Sequence, residues 1–193
     1  EPRSFSFNSP FGACPACTGI GTTMEVDPEL VVPDPGETLA SGALAPWSAG
    51  QTSEYFARIV QALADTVGFR TDVAFERLPA KARTALLHGY DGQVHVRYQN
   101  RYGRNRSYYT TYEGVIPWVQ RRHAEAESDV SRERFEGFMR EVPCAACGGA
   151  RLKPVSLAVT FGGKSIAEIA AMPIGECATF LRELILTDRE RQV

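Results

Sequence analysis

The chain has 193 residues, of which 44% are hydrophobic and 23% charged, and its formal net charge at pH 7 is −2. This composition is that of an ordinary globular protein and excludes the collagen, disordered and coiled-coil classes. The charge and a pI near 6.0 argue against a wholly basic nucleic-acid binder, but a local basic patch is compatible with both values. The uncharged stretch 38–51 is too short, and too interrupted by glycine and proline, to cross a bilayer, so we expect a soluble protein.

The chain starts with neither an initiator Met nor the apolar run of a signal peptide, so we expect it to begin inside a longer protein. Five cysteines are present, and four of them form two Cys-x-x-Cys pairs, an arrangement that does not suit a disulfide framework in a chain of this length. We therefore expect the reducing environment of the cytoplasm.

The first half of the chain changes character several times. Segment 4–23 is rich in glycine and proline, which predicts a knuckle-like loop with short flanking strands. Segment 27–46 is a proline-marked, linker-like run in which any strand would be short or at a sheet edge. Apolar residues then recur at helical spacing over 53–67, which predicts an amphipathic helix ended by Gly68. A shorter helix is expected from Pro79 to Leu87.

The second half begins with two segments of β-forming residues, 93–98 and 107–112, which predict a hairpin with an arginine-loaded loop. Helical spacing follows over 115–123 and 128–140. After the second cysteine pair we expect the following elements: a strand over 155–161, a tight turn at 162–164, a capped helix from Ser165 and a final helix over 174–186.

These elements predict an α+β fold, with a small antiparallel sheet or hairpin and several helices inserted into a four-cysteine zinc-knuckle module. The expected domains are an insertion domain over 27–139 and a zinc-containing part formed by 1–26 together with 140–193.

The cysteine pairs are Cys14-Pro15-Ala16-Cys17 and Cys144-Ala145-Ala146-Cys147. Each pair places two thiols on one tight turn, which is half of a tetrahedral zinc site. A glycine stands two positions after both pairs, and this match favours one structural Cys₄ site. The long insertion is no obstacle, since the entropic cost of closing a loop grows only logarithmically with its length.

Two alternatives for the pairs remain open at this point. A redox role would require a Cys-x-x-Cys that opens a helix after a strand, and neither pair is placed in that way. Each pair could instead bind its own metal ion with ligands from outside the chain. The fifth cysteine, Cys177, lies on an apolar helix face, where we expect a small core residue.

The predicted hairpin region is strongly basic. Residues 93–123 contain six arginines against the single acid Glu113, and tyrosines and a tryptophan are interleaved among them. Guanidinium groups match phosphate oxygens, and aromatic rings stack on bases, so the pattern is typical of a nucleic-acid surface. The residues expected to bind DNA are Arg97, Arg101, Tyr102, Arg104, Arg106, Arg121 and Arg122.

Ordinary structural roles could explain the same residues. The tyrosines could pack one face of the hairpin while the arginines form a solvated edge that discourages strand pairing. Arg121 and Arg122 precede Glu125 and Glu127, so surface ion pairs on one helix are the alternative for them. No Walker loop, Gly-x-Ser-x-Gly elbow or His-Glu-x-x-His helix is present, and we expect no enzymatic activity from this piece.

Three segments resemble the UvrA family, the damage-sensing ABC-type ATPases of bacterial nucleotide excision repair. Residues 1–17 read EPRSFSFNSPFGACPAC, residues 112–117 read YEGVIP shortly before Arg121 and Arg122, and residues 143–153 read PCAACGGARLK. The resemblance covers essentially the whole chain. It implies that 27–139 is similar to the family's DNA-binding insertion domain, and that 1–26 and 140–193 belong to the zinc-containing part of its first signature domain.

The resemblance also implies the wider setting. The parent protein would be an ATPase of the excision nuclease complex that binds damaged DNA without marked sequence preference, pairs with a second UvrA subunit and loads UvrB. ATP and Mg²⁺ would bind only in the parts of the parent missing here. Family members carry a further Cys-x-x-Cys upstream, which is a second candidate partner for Cys14 and Cys17. The alternative function is an intramolecular or protein-interaction module of a UvrA-like paralogue of the drug-resistance type.

Overall fold

The computed structural model describes residues 1–48, 50, 53–99 and 102–186. The chain divides into two compact units, one formed by Glu1–Thr23 with Glu141–Val193 and the other by Met24–Arg140. We refer to them as the first and the second unit. Strands β1 (Thr22–Val26) and β4 (Met139–Pro143) pair with each other where the chain enters and leaves the second unit.

The second unit combines one hairpin with a set of helices. Its helices are α1 (Pro28–Val31), α2 (Ser53–Val67), α3 (Ala80–His88), α4 (Val115–Ala124) and α5 (Asp129–Glu136), with short 3-10 helices at Ala45–Trp47 and Phe75–Arg77. The hairpin consists of β2 (Tyr90–Gln99) and β3 (Asn105–Tyr112), which are antiparallel. Helix α2 packs against β2.

The core of the second unit is built from the periodicity of α2 and from one face of the hairpin. Leu63 of α2 and Val94 and Val96 of β2 are completely buried. Aromatic rings extend this core, since Trp47 stacks on Phe56 with ring centroids 4.5 Å apart. Such burial of apolar side chains is the main source of stability for a unit of this kind.

Two glycines hold the hairpin close to its neighbouring helices. Gly89 ends α3 with φ of 108°, and Gly114 precedes α4 with φ of 89°. A Cβ on Gly114 would lie 2.3 Å from the backbone nitrogen of Gly89, so no side chain fits at this crossing. Nearby, the buried Tyr112 hydroxyl donates a hydrogen bond to the carbonyl oxygen of Leu86 at 3.0 Å.

The first unit contains short elements only. They are a 3-10 helix at Pro2–Phe5, α6 (Pro154–Leu157), β5 (Thr160–Phe161), β6 (Lys164–Ser165), α7 (Ile166–Ala170) and α8 (Ile174–Glu183). A capping box starts α7, in which the side chains of Ser165 and Glu168 each accept a hydrogen bond from the other residue's backbone. No helix among the described residues has the length and apolar character needed to cross a membrane.

The structure confirms the α+β fold class, the helix over 53–67, the shorter helix after Pro79 and the hairpin. The strand expected over 155–161 is wrong. Pro154 occupies the first position of α6, where its fixed φ favours a helix start, and only Thr160–Phe161 is extended. The helix expected over 128–140 ends at Glu136, and the final helix ends at Glu183. Gly137 caps α5, and Met139 already belongs to β4.

Candidate metal centre and hairpin surface

The four cysteines of the two Cys-x-x-Cys pairs lie together in the first unit. All four are buried, and the Sγ atoms of Cys14, Cys17, Cys144 and Cys147 lie within 4.8 Å of one another. The Sγ atoms of Cys17 and Cys147, one from each pair, are 3.8 Å apart, and all cysteines are free thiols. Residues separated by more than a hundred positions in sequence therefore form a single four-thiol cluster.

The two cysteine pairs make equivalent hydrogen bonds with the backbone. The amide of Cys14 donates to the carbonyl of Arg151, just after the second pair, and the amide of Cys144 donates to the carbonyl of Gly21, just after the first, both at 2.9 Å. Each turn also directs an amide at a sulfur: Gly21 donates to Cys17 at 3.3 Å and Arg151 donates to Cys147 at 3.4 Å. Amide donors of this kind support thiolate ligands.

Gly19 is required by the first turn. Its φ is 82°, and a Cβ at this position would lie 2.0 Å from the carbonyl oxygen of Phe7. The Arg151 side chain closes the same corner, since its Nε donates to the Gly19 carbonyl at 2.7 Å and its guanidinium lies 3.6 Å from the centre of the Phe7 ring. The glycine two positions after the first pair is thus required because a side chain would not fit there.

The thiols of the cluster differ in acidity. Burial alone would raise the pKa of Cys17, but amide hydrogen bonds from Gly21 and Gly19 and contacts with the neighbouring cysteines lower it to about 7. Burial raises the pKa of Cys147 to about 11. Four thiolates this close would repel one another unless a cation balanced their charge, and binding of such a cation would release the protons of the thiols. The cluster can hold a metal ion.

The cluster bears on the alternatives for the cysteines. Both pairs lie in tight turns and neither opens a helix, which is not the setting of a redox Cys-x-x-Cys. The short sulfur–sulfur distances suit one shared ion better than two separate ones. Cys177 is half-buried on α8 and is not a member of the cluster.

The hairpin of the second unit has two chemically different faces. Paired residues of β2 and β3 share a face, so Val94, Val96 and Tyr98 lie with Thr110, Tyr108 and Arg106 on the inner face, which packs on α2. The other set of paired residues forms the outer face and includes no acid: Gln93, His95, Arg97, Gln99, Asn105, Ser107, Tyr109 and Thr111.

Aromatic and basic side chains lie together on the outer face. The rings of His95 and Tyr109 stack with centroids 4.5 Å apart and an interplanar angle of 12°. Arg97 is exposed, and its Nε donates to Nδ1 of His95 at 3.3 Å. This hydrogen bond orients the guanidinium beside the stacked rings of His95 and Tyr109.

The predicted DNA-binding residues do not all lie on one surface. Arg97 is on the outer face, Arg106 is on the inner face opposite Tyr98, and Tyr102 and Arg104 lie in the exposed loop of the hairpin. Arg101 is outside the described residues. Arg122 of α4 is exposed, with its guanidinium 5.9 Å from the centre of the Trp118 ring.

Arg121 is bound to carboxylates of its own chain. Its Nη2 donates to Oε1 of Glu113 at 2.7 Å, and its Nη1 donates to Oε2 of Glu125 at 3.1 Å. The hydrogen bond and charge of Glu113 raise the pKa of Arg121 above its ordinary value. The ion pair with Glu125 is of the kind that the sequence analysis gave as the alternative to DNA binding, a surface ion pair within one helix. The second carboxylate, that of Glu113, was not suggested by the sequence spacing.

Two residues missed by the sequence analysis lie beside the hairpin. Tyr55 is half-exposed on the first turn of α2, and the guanidinium of Arg58 lies 5.5 Å from the centre of the Tyr98 ring. Their spacing of three residues puts both on one side of α2, which is the only signal that the sequence carries for them.

The comparison with known families decides the identity of the second unit. The family model described as UvrA DNA-binding domain matches residues 27–137, which is more than half of the chain. The chain belongs to the UvrA DNA-binding domain family. The resemblance drawn from the sequence motifs is thereby confirmed.

Relatives match the UvrA-family chain over all or nearly all of its length. It is 64% identical over 193 residues to the UvrABC system protein A of Streptomyces coelicolor, covering 100% of this chain and 19% of that protein. It is 44% identical over 186 residues to the UvrABC system protein A of Thermus thermophilus, covering 95% of this chain and 19% of the relative. The chain thus spans about a fifth of the length of these curated relatives.

A solved UvrA-family structure has the same fold. The crystal structure of UvrA2 from Deinococcus radiodurans matches with a TM-score of 0.66 and 29% sequence identity, covering 93% of this chain and 23% of that chain.

Proposed function

We propose that this chain is a zinc-stabilised DNA-binding part of a UvrA-type protein and contributes to damaged-DNA recognition in nucleotide excision repair. The observation that carries the proposal is the match of the UvrA DNA-binding domain to residues 27–137, because this stretch contains the arginine-bearing hairpin. The second unit, Met24–Arg140, supports 27–139 as an insertion domain within the part formed by 1–26 and 140–193.

The hairpin is the proposed site of DNA contact. The paired residues of its outer face include no acid, and this face presents Arg97 beside the stacked rings of His95 and Tyr109. The set is completed by Tyr102 and Arg104 in the exposed loop, by Arg106 and Arg122, and by Arg101, which lies outside the described residues. Contacts of these groups would go mainly to phosphates, which gives binding without marked sequence preference. Arg121 is expected to contribute least, since two carboxylates already neutralise it.

The proposed ligand of the cysteine cluster is one structural Zn²⁺. Four buried thiols within 4.8 Å of one another form the donor set that zinc takes in closed structural sites. The amides of Gly21 and Arg151 directed at the sulfurs suit such a site. No ligand position is left for substrate, so the role is to hold the first unit together.

The remainder of the proposal concerns the parent protein. We propose that the parent is an ATPase that pairs with a second UvrA subunit, loads UvrB and works in the cytoplasm. The name of the relatives, UvrABC system protein A, supports a UvrA-type parent, of which this chain covers about a fifth. ATP and Mg²⁺ would bind outside the present chain, which has no catalytic role of its own. Neither the family match nor these relatives favour the alternative of a protein-interaction module.

Salt-dependent DNA binding tests the proposal. The chain is titrated into a fluorescent DNA duplex at several salt concentrations, and the logarithm of the affinity should fall linearly with the logarithm of salt. In the Arg97→Gln variant, loss of one phosphate contact should flatten this slope by about 0.9. Arg70→Gln is the matched control, because Arg70 is paired with Asp72. Absence of DNA binding, or binding that salt does not weaken, would contradict the proposal.

A further inference from the structure

The inner face of the hairpin changes chemistry along its length. Near the base, Val94 and Val96 are completely buried against the helical core. Towards the loop, the same face carries Tyr98, Tyr108 and Arg106, and Tyr108 keeps 37% of its surface exposed. The part of the inner face near the loop is therefore aromatic, basic and accessible.

Helix α2 adds two side chains to this surface. Tyr55 keeps 49% of its surface exposed, and the Arg58 guanidinium lies 5.5 Å from the centre of the Tyr98 ring. We name this surface the tyrosine platform. It consists of Tyr55, Arg58, Tyr98, Arg106 and Tyr108.

The rings of the platform interact with one another. The Tyr98 and Tyr108 ring centroids are 6.1 Å apart at an interplanar angle of 73°, which is an edge-to-face contact. Burial raises the pKa of Tyr108 above its ordinary value, the phenols of Tyr55 and Tyr98 raise it further, and Arg58 opposes them. The Tyr108 phenol therefore stays neutral at physiological pH, where it can donate a hydrogen bond.

The platform carries the guanidinium groups of Arg58 and Arg106, with one carboxylate, that of Glu54, beside the first of them. Arg58 forms an ion pair with Glu54, one turn earlier on α2, and no acidic side chain belongs to the platform itself. Arg106 stands opposite Tyr98 in the hairpin register. A ligand that offers a flat ring together with a phosphate matches this combination of exposed rings and guanidinium groups.

We propose that the tyrosine platform binds an unpaired base of a DNA strand by stacking, so that the chain prefers DNA with a locally opened duplex. The inference rests on the proposed DNA binding and deepens it by naming the form of DNA. In an intact duplex both faces of each base are covered by its neighbours, so only an unpaired base can offer a free face to Tyr55 or Tyr108. The outer face, with Arg97, serves the duplex backbone instead.

A comparison of two DNA substrates tests the inference. The full chain is titrated into a short fluorescent duplex and into the same duplex with a central unpaired stretch. The wild-type chain should bind the second more tightly. Tyr108→Leu keeps apolar bulk but removes the aromatic ring, and it should weaken binding to the unpaired substrate by about fivefold to a hundredfold, as loss of one stacked base does. Affinity for the intact duplex should change less than twofold.

Three further variants sharpen the test. Tyr108→Phe keeps the ring and should retain the preference for unpaired DNA. Tyr55→Leu, at a more exposed position, should reproduce the loss even if Tyr108→Leu is poorly folded by circular dichroism. Phe161→Leu is the matched control, because Phe161 is an exposed aromatic residue on β5 of the first unit, and it should leave the preference for the unpaired substrate unchanged.

The outcomes separate the inference from the proposed function. Duplex binding without preference for the unpaired substrate overturns the inference alone, as does an equal loss on both substrates in Tyr108→Leu and Tyr55→Leu. Failure to bind either DNA overturns the proposed function as well.

Discussion

The two units of this chain are stabilised by different chemistry. In the second unit, one large cluster of buried apolar side chains joins the helices to the hairpin, with aromatic residues such as Trp47, Phe56 and Phe135 among them. In the described part of the first unit, the buried cluster consists of the four cysteines. Apolar side chains elsewhere in that unit are largely exposed, including Val155 at 71% and Ile174 at 90%.

The difference teaches what each unit needs in order to fold. A region with few buried apolar side chains gains too little from the hydrophobic effect to offset the entropy of ordering its loops, and a metal ion commonly supplies the missing stabilisation. The second unit has its own apolar core and needs no such ion. The two tryptophans, Trp47 and Trp118, both belong to the second unit, so tryptophan fluorescence follows that unit and metal content follows the first.

The largest effect is expected from removing one thiol. Cys144→Ser should abolish metal binding, because structural zinc sites contribute on the order of 10 kcal/mol to folding and lose it when a ligand is missing. Metal content per chain should fall from one to zero, and limited proteolysis should cut the first unit. The fluorescence unfolding transition of the second unit should remain.

Cys177→Ser is the control for this prediction, since Cys177 lies on α8 outside the cluster. Cys14→Ser should behave like Cys144→Ser, because all four sulfurs lie together. Full metal content in either ligand variant would show that the two pairs do not share one ion.

A smaller effect, confined to the second unit, is expected from a cavity in its core. Leu63 is completely buried in α2, and Leu63→Ala should lower the free energy of unfolding by about 2–5 kcal/mol. The measurement is chemical denaturation followed by tryptophan fluorescence. Metal content should stay at one per chain. Val130→Ala is the control, because Val130 is 79% exposed on α5 and its truncation opens no cavity.

A loss of metal from the Leu63→Ala variant would contradict the conclusion that the metal stabilises the first unit and the apolar core stabilises the second. The two units would then not be independent in their stability, and the metal would report on the core of the second unit.

Sequence reasoning succeeded where the signal was local and strong. Helical spacing over 53–67, with Gly68 after it, predicted α2, and the β-forming segments around the loop predicted the hairpin. The repeated Cys-x-x-Cys pattern predicted that distant thiols meet, since metal-ligand spacing is set by the geometry of one tight turn.

Sequence reasoning failed where the outcome depends on packing. The apolar run after Pro154 has strand-forming residues, but a short run of this kind does not distinguish a strand from a helix turn, and the proline starts α6. The tyrosine platform was missed because Tyr55 and Tyr108 are brought together only when α2 packs on the hairpin. The ion pair of Arg121 with Glu113 was missed for the same reason, since one residue precedes α4 and the other lies within it.

A third effect, again in the second unit, is expected from the loss of one hydroxyl group. Tyr112→Phe removes the donor to the buried carbonyl of Leu86 and leaves that oxygen without its partner. The free energy of unfolding should fall by about 1–3 kcal/mol, measured by the same fluorescence transition. Tyr109→Phe is the control, because Tyr109 is 65% exposed and its ring stack with His95 is kept. Equal stability of the two variants would show that the buried hydrogen bond contributes nothing.

The smallest effect on stability is expected at Arg121. Its ion pairs lie on the surface of the second unit, whereas Leu63 and Tyr112 lie in its core. Arg121→Gln breaks the ion pairs with Glu113 and Glu125, which are half-exposed, so the free energy of unfolding should fall by no more than about 1 kcal/mol. The slope of DNA affinity against salt should stay that of the wild-type chain, whereas Arg97→Gln flattens it. If Arg121→Gln flattens the slope as much as Arg97→Gln, then DNA must displace both carboxylates from the guanidinium, and Arg121 contacts phosphate as Arg97 does.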